Sequence, residues 1–413
     1  MMSPRDNETL VRVGPETPMG DLIRRYWIPA LLSSELPEAD GAPVRLRLLG
    51  EDLVAFRDTA GKVGLLEERC PHRQSSLALG INDKGGLRCL YHGWKFAVDG
   101  ACLERPTEPG GIRHQIRAVA YPTHEAGGVV WTYMGPAEHQ QPFPEFNWLA
   151  MADANRVPFK IQEDCNYAQA VEGTIDTAHA GVLHREQSWD APAKYDHERD
   201  LAPKLEVQFT KYGMRYAGVR KMPDGNQHIR ITQVVLPFLT MIPPAGEGPP
   251  QIKHRRLVNA FVPRDDVSTW HFQWFYDPTR EIDVAHRIEE GGLWLDEDFR
   301  KKVNIDVWYN QDRDWMKSGG MMSGIKGVVT QDHAVSETQG RILDRTKEHL
   351  GTSDAAVVAW RRMIIRAARA LAEKNEAPPG TQEPISWDEI SAETIKLPEG
   401  QSWQQEVRGV HVA

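Results

Sequence analysis

The chain has 413 residues, of which 40% are hydrophobic and 26% are charged, and its formal net charge is −9. This composition predicts a soluble globular protein of two or three domains, and the acidic balance argues against a general nucleic-acid-binding role. No apolar run approaches the roughly 20 residues that a membrane span needs. Four cysteines do not make a disulfide framework and the first residues lack an apolar signal core, so we expect a cytoplasmic protein.

Residues 1–38 are expected to form a helical segment that packs on the later, larger part of the chain. Thr17 followed by Pro18 is a typical helix start, because the hydroxyl can cap free amides and proline is tolerated at the first helical position. We expect this helix to end before Pro29, where the missing amide hydrogen would break the helical ladder.

From Val44 onwards the apolar residues recur with the period of two that is typical of β-strands. Residues 44–48 and 53–57 flank Gly50 in the pattern of a hairpin, and further short strands follow as far as Met134. The sequence therefore predicts a small all-β domain over residues 39–136, which ends at Gly135-Pro136.

Residues 137–413 are expected to form a second domain of α+β class. Asp354 to Asn375 has one apolar face and predicts a long helix packed on a sheet. Alternating segments predict the strands of one antiparallel sheet, at residues 205–210, 214–219, 229–236, 256–262 and 269–276.

The β domain contains two short motifs that pair a cysteine with a histidine. Cys70 and His72 are separated by one residue, sixteen residues follow, and Cys89 and His92 are separated by two. Such a set can hold a tetrahedral zinc ion, or a two-iron cluster in which cysteines serve one iron and histidines the other. Zinc sites usually pair cysteine with cysteine and histidine with histidine. The mixed pairs therefore favour the two-iron cluster, and zinc stays the alternative.

The other two cysteines, Cys102 and Cys165, match no ligand position. We expect both to be small buried hydrophobic residues, which is the commonest role of a free cysteine.

A second group of ligand-type residues follows in the larger domain: Asp176, His179 and His184. Two histidines and a carboxylate on one side of Fe(II) leave positions open for further ligands. The two histidines are five positions apart, which is about 140° around an ideal helix. The helix must therefore be loosened between them, and Gly181 is well placed for that.

Cys70-Pro-His-Arg and Cys89-Leu-Tyr-His-Gly-Trp-Lys resemble the Rieske [2Fe–2S] motif, and the spacing of Asp176, His179 and His184 resembles the mononuclear iron motif of Rieske non-haem oxygenases. The stretches that begin at Arg12, Glu172 and Gly340 are similar to the phthalate-dioxygenase branch, which has α subunits only. The resemblance implies an N-terminal Rieske domain and a catalytic domain of helix-grip (START-like) fold.

In this family the third iron ligand lies far downstream, near the start of a helix. The segment from Thr330 to Gln339 resembles that region, and Asp332 is the best match to the ligand, with Glu337 as the second choice. We expect His333 to lie beside the site or to be exposed.

The resemblance implies a different role for Asp176. In the family this residue connects iron ligand His179, by hydrogen bonds, to cluster ligand His92 of the partner subunit, because the two metal sites of one chain are too far apart for useful electron transfer. A head-to-tail ring is then needed, which implies a homotrimer or a trimer-based hexamer.

The resemblance also implies the reaction. A flavin or iron–sulfur reductase, with or without a ferredoxin, supplies electrons from NADH, and with O₂ one or both oxygen atoms enter an aromatic carboxylate such as phthalate. The alternative reaction is O-demethylation of a methoxylated, lignin-derived aromatic acid. Two other classes stay open from the sequence alone: a Rieske electron-transfer protein without its own catalysis, and a zinc-stabilised binding protein.

Substrate residues are the least constrained by sequence. Thr177 adjoins the iron motif, and Arg215 and Arg230 lie on strands that are expected to wall the pocket, as does Arg220. Arginine is the preferred partner of a carboxylate. Because alternate strand positions face opposite sides, each arginine could instead be a solvated surface charge. The segment 237–244 carries no arginine, so it offers no carboxylate clamp.

Overall fold

The computed structural model describes residues 2–108, 115–244, 254–382 and 384–406. The chain begins with helices α1 (Pro4–Val11) and α2 (Pro18–Ile23), which start at the side-chain caps Ser3 and Thr17. Both contact a long helix near the C-terminus.

Helix α2 is shorter than expected, because the chain continues as strand β1 (Trp27–Leu32). Pro29 lies in this strand beside a register shift, the kind of irregularity at which a sheet tolerates a residue without an amide hydrogen. Strand β1 pairs with β11 (Val129–Tyr133), so these residues belong to a sheet of the N-terminal part. The boundaries at 38 and 136 stay predictions.

The N-terminal part forms three small antiparallel sheets, in the orders β2-β3-β4-β9, β5-β6-β7-β8 and β1-β11-β10. The hairpin predicted around Gly50 is present as β2 paired with β3. The other strands of these sheets are β2 (Val44–Leu48), β3 (Glu51–Arg57), β4 (Val63–Glu67), β5 (Ile81–Asp83), β6 (Gly86–Arg88), β7 (Lys95–Phe96), β8 (Cys102–Glu104), β9 (Ala120–Tyr121) and β10 (Thr123–Ala126).

The larger part is built on one antiparallel sheet in the order β12-β18-β17-β16-β15-β14-β13, with β19 paired to β15. The five strands expected from the sequence are all present, and β12, β16 and β19 complete the sheet. Their bounds are β12 (Arg156–Glu163), β13 (Lys204–Thr210), β14 (Gly213–Lys221), β15 (Asn226–Val235), β16 (Leu239–Ile242), β17 (Arg256–Asp265), β18 (Ser268–Tyr276) and β19 (Glu393–Pro398).

Helices cover this sheet, and two of them, α3 and α8, contact its strands directly. The predicted long helix is α8, and its apolar stripe, which includes Trp360, Ile364 and Ala368, is buried in the main core. Burial of that many large side chains is the main source of stability here, at about 1.5–3 kcal/mol each. The helix bounds are α3 (Tyr167–Ile175), α4 (Asp196–Arg199), α5 (Val284–Gly291), α6 (Arg313–Lys317), α7 (Val328–Glu337) and α8 (Ala355–Lys374). Within the described ranges, none of these helices combines the length and apolar character needed to cross a membrane.

Candidate metal centres

The four cluster-type ligands lie on two loops, one after β4 and one after β6. Cys70 and Cys89 are each 2% exposed, and their thiols are close enough to hydrogen-bond. The rings of His72 and His92 meet edge to face with their centroids 4.4 Å apart. Trp94 stacks on His72, at 4.4 Å between centroids, and fixes the orientation of that ring. The structure therefore brings the cysteines together and the histidines together.

This pairing fits a two-iron cluster better than one zinc ion. A tetrahedral zinc site draws all four donor atoms around a single centre. Among the described residues, two groups of three or more ligand-type side chains gather their donor atoms within 4.8 Å of one another, and the cluster ligands form neither group. Burial, together with the neighbouring Cys89 thiol, raises the pKa of Cys70 to about 11, so a bound cation is needed to displace its proton.

A glycine makes the second loop possible. Gly93 follows His92 with a φ of +73°, and a Cβ there would lie 2.7 Å from the Pro106 ring. Its amide donates to the Cys89 carbonyl at 3.0 Å, which closes the turn that presents both ligands. The adjoining Leu90 and Tyr91 are exposed, so this edge of the site faces the surface.

The second candidate centre joins two segments that are distant in sequence. His179 lies in a short 3-10 turn, His184 follows that turn, and Asp332 lies on α7. His184 Nε2 is 3.1 Å and His179 Nε2 is 3.6 Å from Asp332 Oδ1. The side chains are 17–42% exposed, which leaves one side of the group open. The three donors lie close enough together to hold one metal ion, which we call the iron group.

The local backbone differs from the loosened helix that the spacing predicted. Helix α3 ends at Ile175, before the first histidine, so His179 is already outside it. Gly181 is still required, because a Cβ there would lie 2.6 Å from a Leu201 methyl and 2.9 Å from the His197 carbonyl oxygen.

Electrostatics prepare Asp332 to bind a cation. Burial alone would raise the pKa of this carboxyl, but the charge of His184, the hydrogen bond with it and the charge of His179 outweigh burial, so the pKa lies below its usual range. The second choice, Glu337, is not near the histidines. It is buried and accepts hydrogen bonds from Lys301 Nζ at 2.8 Å and Tyr309 OH at 2.5 Å.

Asp176 lies on the outer side of His179. Its Oδ2 is 3.7 Å from His179 Nδ1, whereas Nε2 of the same ring faces Asp332. The other carboxylate oxygen accepts the Ala178 amide at 2.7 Å. Burial would raise the pKa of Asp176, but His179 holds it below the usual range. The structure therefore separates Asp176 from the atoms that face Asp332.

His333 was expected beside the iron group or at the surface, and the structure buries it rather than exposing it. It is 2% exposed and belongs to a buried triad with Glu163 and His271. Lys301 Nζ donates to His333 Nδ1 at 2.6 Å. His333 Nε2 must then carry the proton and donate to His271 Nδ1 at 3.0 Å.

The two histidines of the buried triad belong to a hydrogen-bond chain. His271 Nε2 donates to Asn259 Oδ1 at 2.9 Å, and that oxygen also accepts from Gln273 Nε2. Burial lowers the pKa of His271 to about 3, and burial with the Lys301 charge lowers that of His333 well below the ordinary value, so both rings are neutral. An ammonium group against His333 Nδ1 leaves no need for a metal there.

Arginines line one face of the sheet next to the iron group. The register pairs Gly218 with Arg230 and Arg220 with His228, which sets Arg220, Arg230 and His228 on the same face. Arg220 is completely buried and donates to two carbonyl oxygens, those of Thr177 and Asp200, at 3.0 Å each.

These three side chains have buried nitrogen atoms without partners. Within the described ranges, Arg220 Nη1, Arg230 Nε and both ring nitrogens of His228 are buried without a hydrogen-bond partner. Burial, reinforced by the nearby Arg230 charge, lowers the pKa of Arg220 to about 10. Burial and the two arginines lower the pKa of His228 to about 4, so this ring is neutral. We call Arg220, Arg230 and His228 the cationic face.

Thr177 connects the cationic face to the iron group. It directly follows Asp176, is 8% exposed, and accepts from Arg220 through its carbonyl. Gly218 permits this approach, because a Cβ there would lie 3.0 Å from the Thr177 methyl and 3.5 Å from Arg220 Nη1.

The structure does not bring Arg215 to this site. Its strand position has the opposite parity, so it faces the other side of the sheet, where its guanidinium lies 4.8 Å from the centre of the Trp403 ring and donates to Gln208 Oε1. Arg215 and Arg220 are not solvated surface charges, since they are 2% and 0% exposed, whereas Arg230 is half-buried. Cys165 is fully buried, as expected, while Cys102 is only partly so.

Comparison with known proteins agrees with both centres. Residues 26–121 match the Rieske [2Fe-2S] domain family and residues 132–410 match the family described as LigXa C-terminal domain like. The chain is 39% identical over 410 residues to the phthalate 4,5-dioxygenase oxygenase subunit of Pseudomonas putida, which covers 93% of this chain and 90% of that one. This chain belongs to the Rieske non-haem iron oxygenases.

Further relatives of this Rieske oxygenase subunit support the same family. It is 38% identical over 406 residues to the 3-chlorobenzoate-3,4-dioxygenase oxygenase subunit of Comamonas testosteroni, over 92% of this chain and 91% of that one. The fold is shared with the solved structure of the Pseudomonas putida CBB5 NdmA QL mutant with caffeine, at a TM-score of 0.67 and 18% identity, over 94% of this chain and 100% of that one.

Proposed function

We propose that this Rieske oxygenase subunit hydroxylates an aromatic carboxylate, whose carboxylate group binds the cationic face while its ring lies at the iron group. The observation that carries the proposal is the pair of arginines on one sheet face, of which Arg220 is fully buried and both have unsatisfied donors. Thr177 connects this face to the turn that carries His179.

The energetics favour an anionic ligand. A buried guanidinium without an acidic partner is costly by several kcal/mol, and a carboxylate that accepts two of its hydrogen bonds offsets that cost. A neutral aromatic ring would leave the same donors unsatisfied. The two most similar relatives described above act, by their names, on phthalate and 3-chlorobenzoate, which both carry a ring carboxylate.

The metal groups would be held by residues of this chain. Cys70, His72, Cys89 and His92 would hold the [2Fe–2S] cluster, and His179, His184 and Asp332 would hold Fe(II) and leave one side open. The cluster and the iron, when bound, supply the electron transfer and the O₂ activation. The chain itself orients the ring, satisfies the carboxylate and keeps the ligand nitrogens facing the metal.

The proposal includes an assembly and electron-transfer partners. Leu90 and Tyr91 expose an apolar edge beside His92, which is suited to contact with another subunit. Asp176, on the outer side of His179, is then available to His92 of the partner subunit in a head-to-tail homotrimer or trimer-based hexamer. A reductase, with or without a ferredoxin, would deliver electrons that originate from NADH.

Substitution of the arginines tests the proposal. Arg220→Met and Arg230→Met are expected to raise the KM for phthalate or a substituted benzoate by about 30-fold or more, since loss of a buried charged partner costs 2–5 kcal/mol. Reductase-coupled O₂ uptake measures this, with product analysis. Release of formaldehyde from methoxybenzoates would indicate O-demethylation instead.

Arg215→Met is the matched control, because it removes a buried arginine from the opposite face of the same strand. It is expected to leave KM within about threefold. An unchanged KM in both cationic-face variants, or an equal change in Arg215→Met, would contradict the carboxylate assignment.

A further inference from the structure

Gln331 precedes Asp332 on α7 and is 1% exposed. Its side-chain oxygen Oε1 lies 2.7 Å from Nδ1 of His184. Its amide nitrogen Nε2 donates to the backbone carbonyl of Ile325 at 2.8 Å and lies 3.7 Å from the Met321 sulfur. The side chain is therefore held at both ends, with one end on an iron ligand.

These partners fix which way the amide points. The Ile325 carbonyl can only accept a hydrogen bond, so the amide nitrogen of Gln331 must face it. The oxygen must then face His184, and because an amide oxygen only accepts, His184 Nδ1 must carry a proton. In a neutral imidazole this leaves the lone pair on Nε2, which is the atom 3.1 Å from Asp332 Oδ1.

We propose that Gln331 is a positioning residue for the iron ligand His184. It holds the imidazole in the tautomer with the proton on Nδ1, and it fixes the ring so that Nε2 faces the metal. This inference rests on the iron group proposed above. Hydrogen-bond partners of this kind orient metal-binding histidines and are worth a factor of 10–100 in metal affinity.

The two histidines are supported differently. His179 Nδ1 faces a carboxylate, Asp176, whereas His184 Nδ1 faces a neutral amide. The amide cannot take the Nδ1 proton, so His184 is confined to one tautomer. Because Gln331 and Asp332 are neighbours on one helix, the ligand Asp332 and the support of His184 are positioned together.

Helix α7 is itself held in place by hydrogen bonds at its C-terminal end. Glu337, in its last turn, accepts from Lys301 and Tyr309 and from the Asp164 amide at 2.9 Å. These bonds resist rotation of the helix, so Gln331 stays in register with His184.

The test is the Fe(II) affinity of the full chain with its cluster in place, measured by competition with a chromogenic chelator. Gln331→Leu keeps the volume but removes the acceptor, and is expected to weaken Fe(II) binding by about 10–100-fold. The visible spectrum of the cluster is expected to be unchanged. Gln331→Glu keeps an acceptor oxygen towards His184 but loses the bond to the Ile325 carbonyl, and is expected to recover part of the affinity.

Two controls separate the explanations. Gln233→Leu removes another buried glutamine, which bonds to Tyr212 and Ser391, and is expected to lower stability but not Fe(II) affinity. His184→Ala is expected to lose the iron. Unchanged Fe(II) binding in His184→Ala would refute the iron group itself. Loss in His184→Ala with wild-type binding in Gln331→Leu, or equal loss in the Leu and Glu variants, would refute the role of Gln331.

Discussion

Two groups of two histidines and one carboxylate meet at helix α7, the iron group and the buried triad of Glu163, His271 and His333. Their donor types are the same, but their surroundings differ. The side chains of the iron group are 17–42% exposed, whereas the residues of the triad are 1–3% exposed. Lys301 donates to the triad and not to the iron group.

The difference shows that donor type alone does not make a metal site. In the iron group the outer ring nitrogens face Asp176 and Gln331, and both Nε2 atoms face the third donor, Asp332. In the triad the ring nitrogens take part in a series of hydrogen bonds that runs from the Lys301 ammonium group to the Asn259 amide oxygen. We therefore expect metal in the first group and none in the second.

The largest expected effect separates the two groups by metal content. Asp332→Ala should lose the mononuclear iron and with it the oxygenase activity, because the third ligand is removed, while the two cluster irons stay. His271→Gln should retain all the iron. Iron and acid-labile sulfide analysis of the purified variants measures both. Retained iron in Asp332→Ala, or its loss in His271→Gln, would reverse the assignment.

The next largest effect concerns the buried ion pair between Lys301 and Glu337, next to the triad. Lys301→Met leaves Glu337 buried without its charged partner and His333 without its donor, so it should lower the free energy of unfolding by about 3–5 kcal/mol. Denaturant unfolding of iron-free protein measures this. The control Lys347→Met removes an exposed pair with Asp344 and should cost less than about 1 kcal/mol. Equal effects in the two variants would contradict the buried pairing.

A smaller effect depends on pH. Burial raises the pKa of Glu163 to about 8, even though the Lys301 charge opposes the shift. Because the folded-state pKa is raised, the protonated carboxyl stabilises the fold at low pH, and this contribution is lost as pH rises from about 4.5 through 8. The Glu163→Gln side chain stays neutral at every pH. The free energy of unfolding of this variant, relative to that of the wild type, should therefore rise by about 3 kcal/mol between pH 5 and 8. A difference that does not change with pH would show that Glu163 is already ionised.

The parts predicted well from sequence are those set by local pattern. The cluster ligands lie on two tight loops, so their spacing along the chain fixes their spacing in space. The hairpin around Gly50, the long helix α8 and the strands of the main sheet follow from hydrophobic periodicity. The sequence does not predict strand β1 (Trp27–Leu32), because this strand depends on pairing with β11, some 100 residues later.

The assignments that the sequence could not make depend on which face of a strand or helix a residue occupies. Arg215 and Arg220 lie on the same strand with opposite parity, and only the register with β15 shows which one faces the iron group. Gln331 and His333 flank Asp332 on one helix, yet one supports an iron ligand and the other is buried behind it. The only sequence feature that pointed to these two residues was their position next to Asp332. That position is the same for both, so it could not distinguish their roles.

The central claim is that one chain holds both a two-iron cluster and a separate iron. Metal analysis of purified protein, combined with its visible spectrum, tests this most directly. We predict a Rieske-type spectrum with about three irons and two acid-labile sulfides per chain. A count of two irons would leave an electron-transfer protein without a catalytic iron, and a colourless protein that contains zinc would contradict both centres.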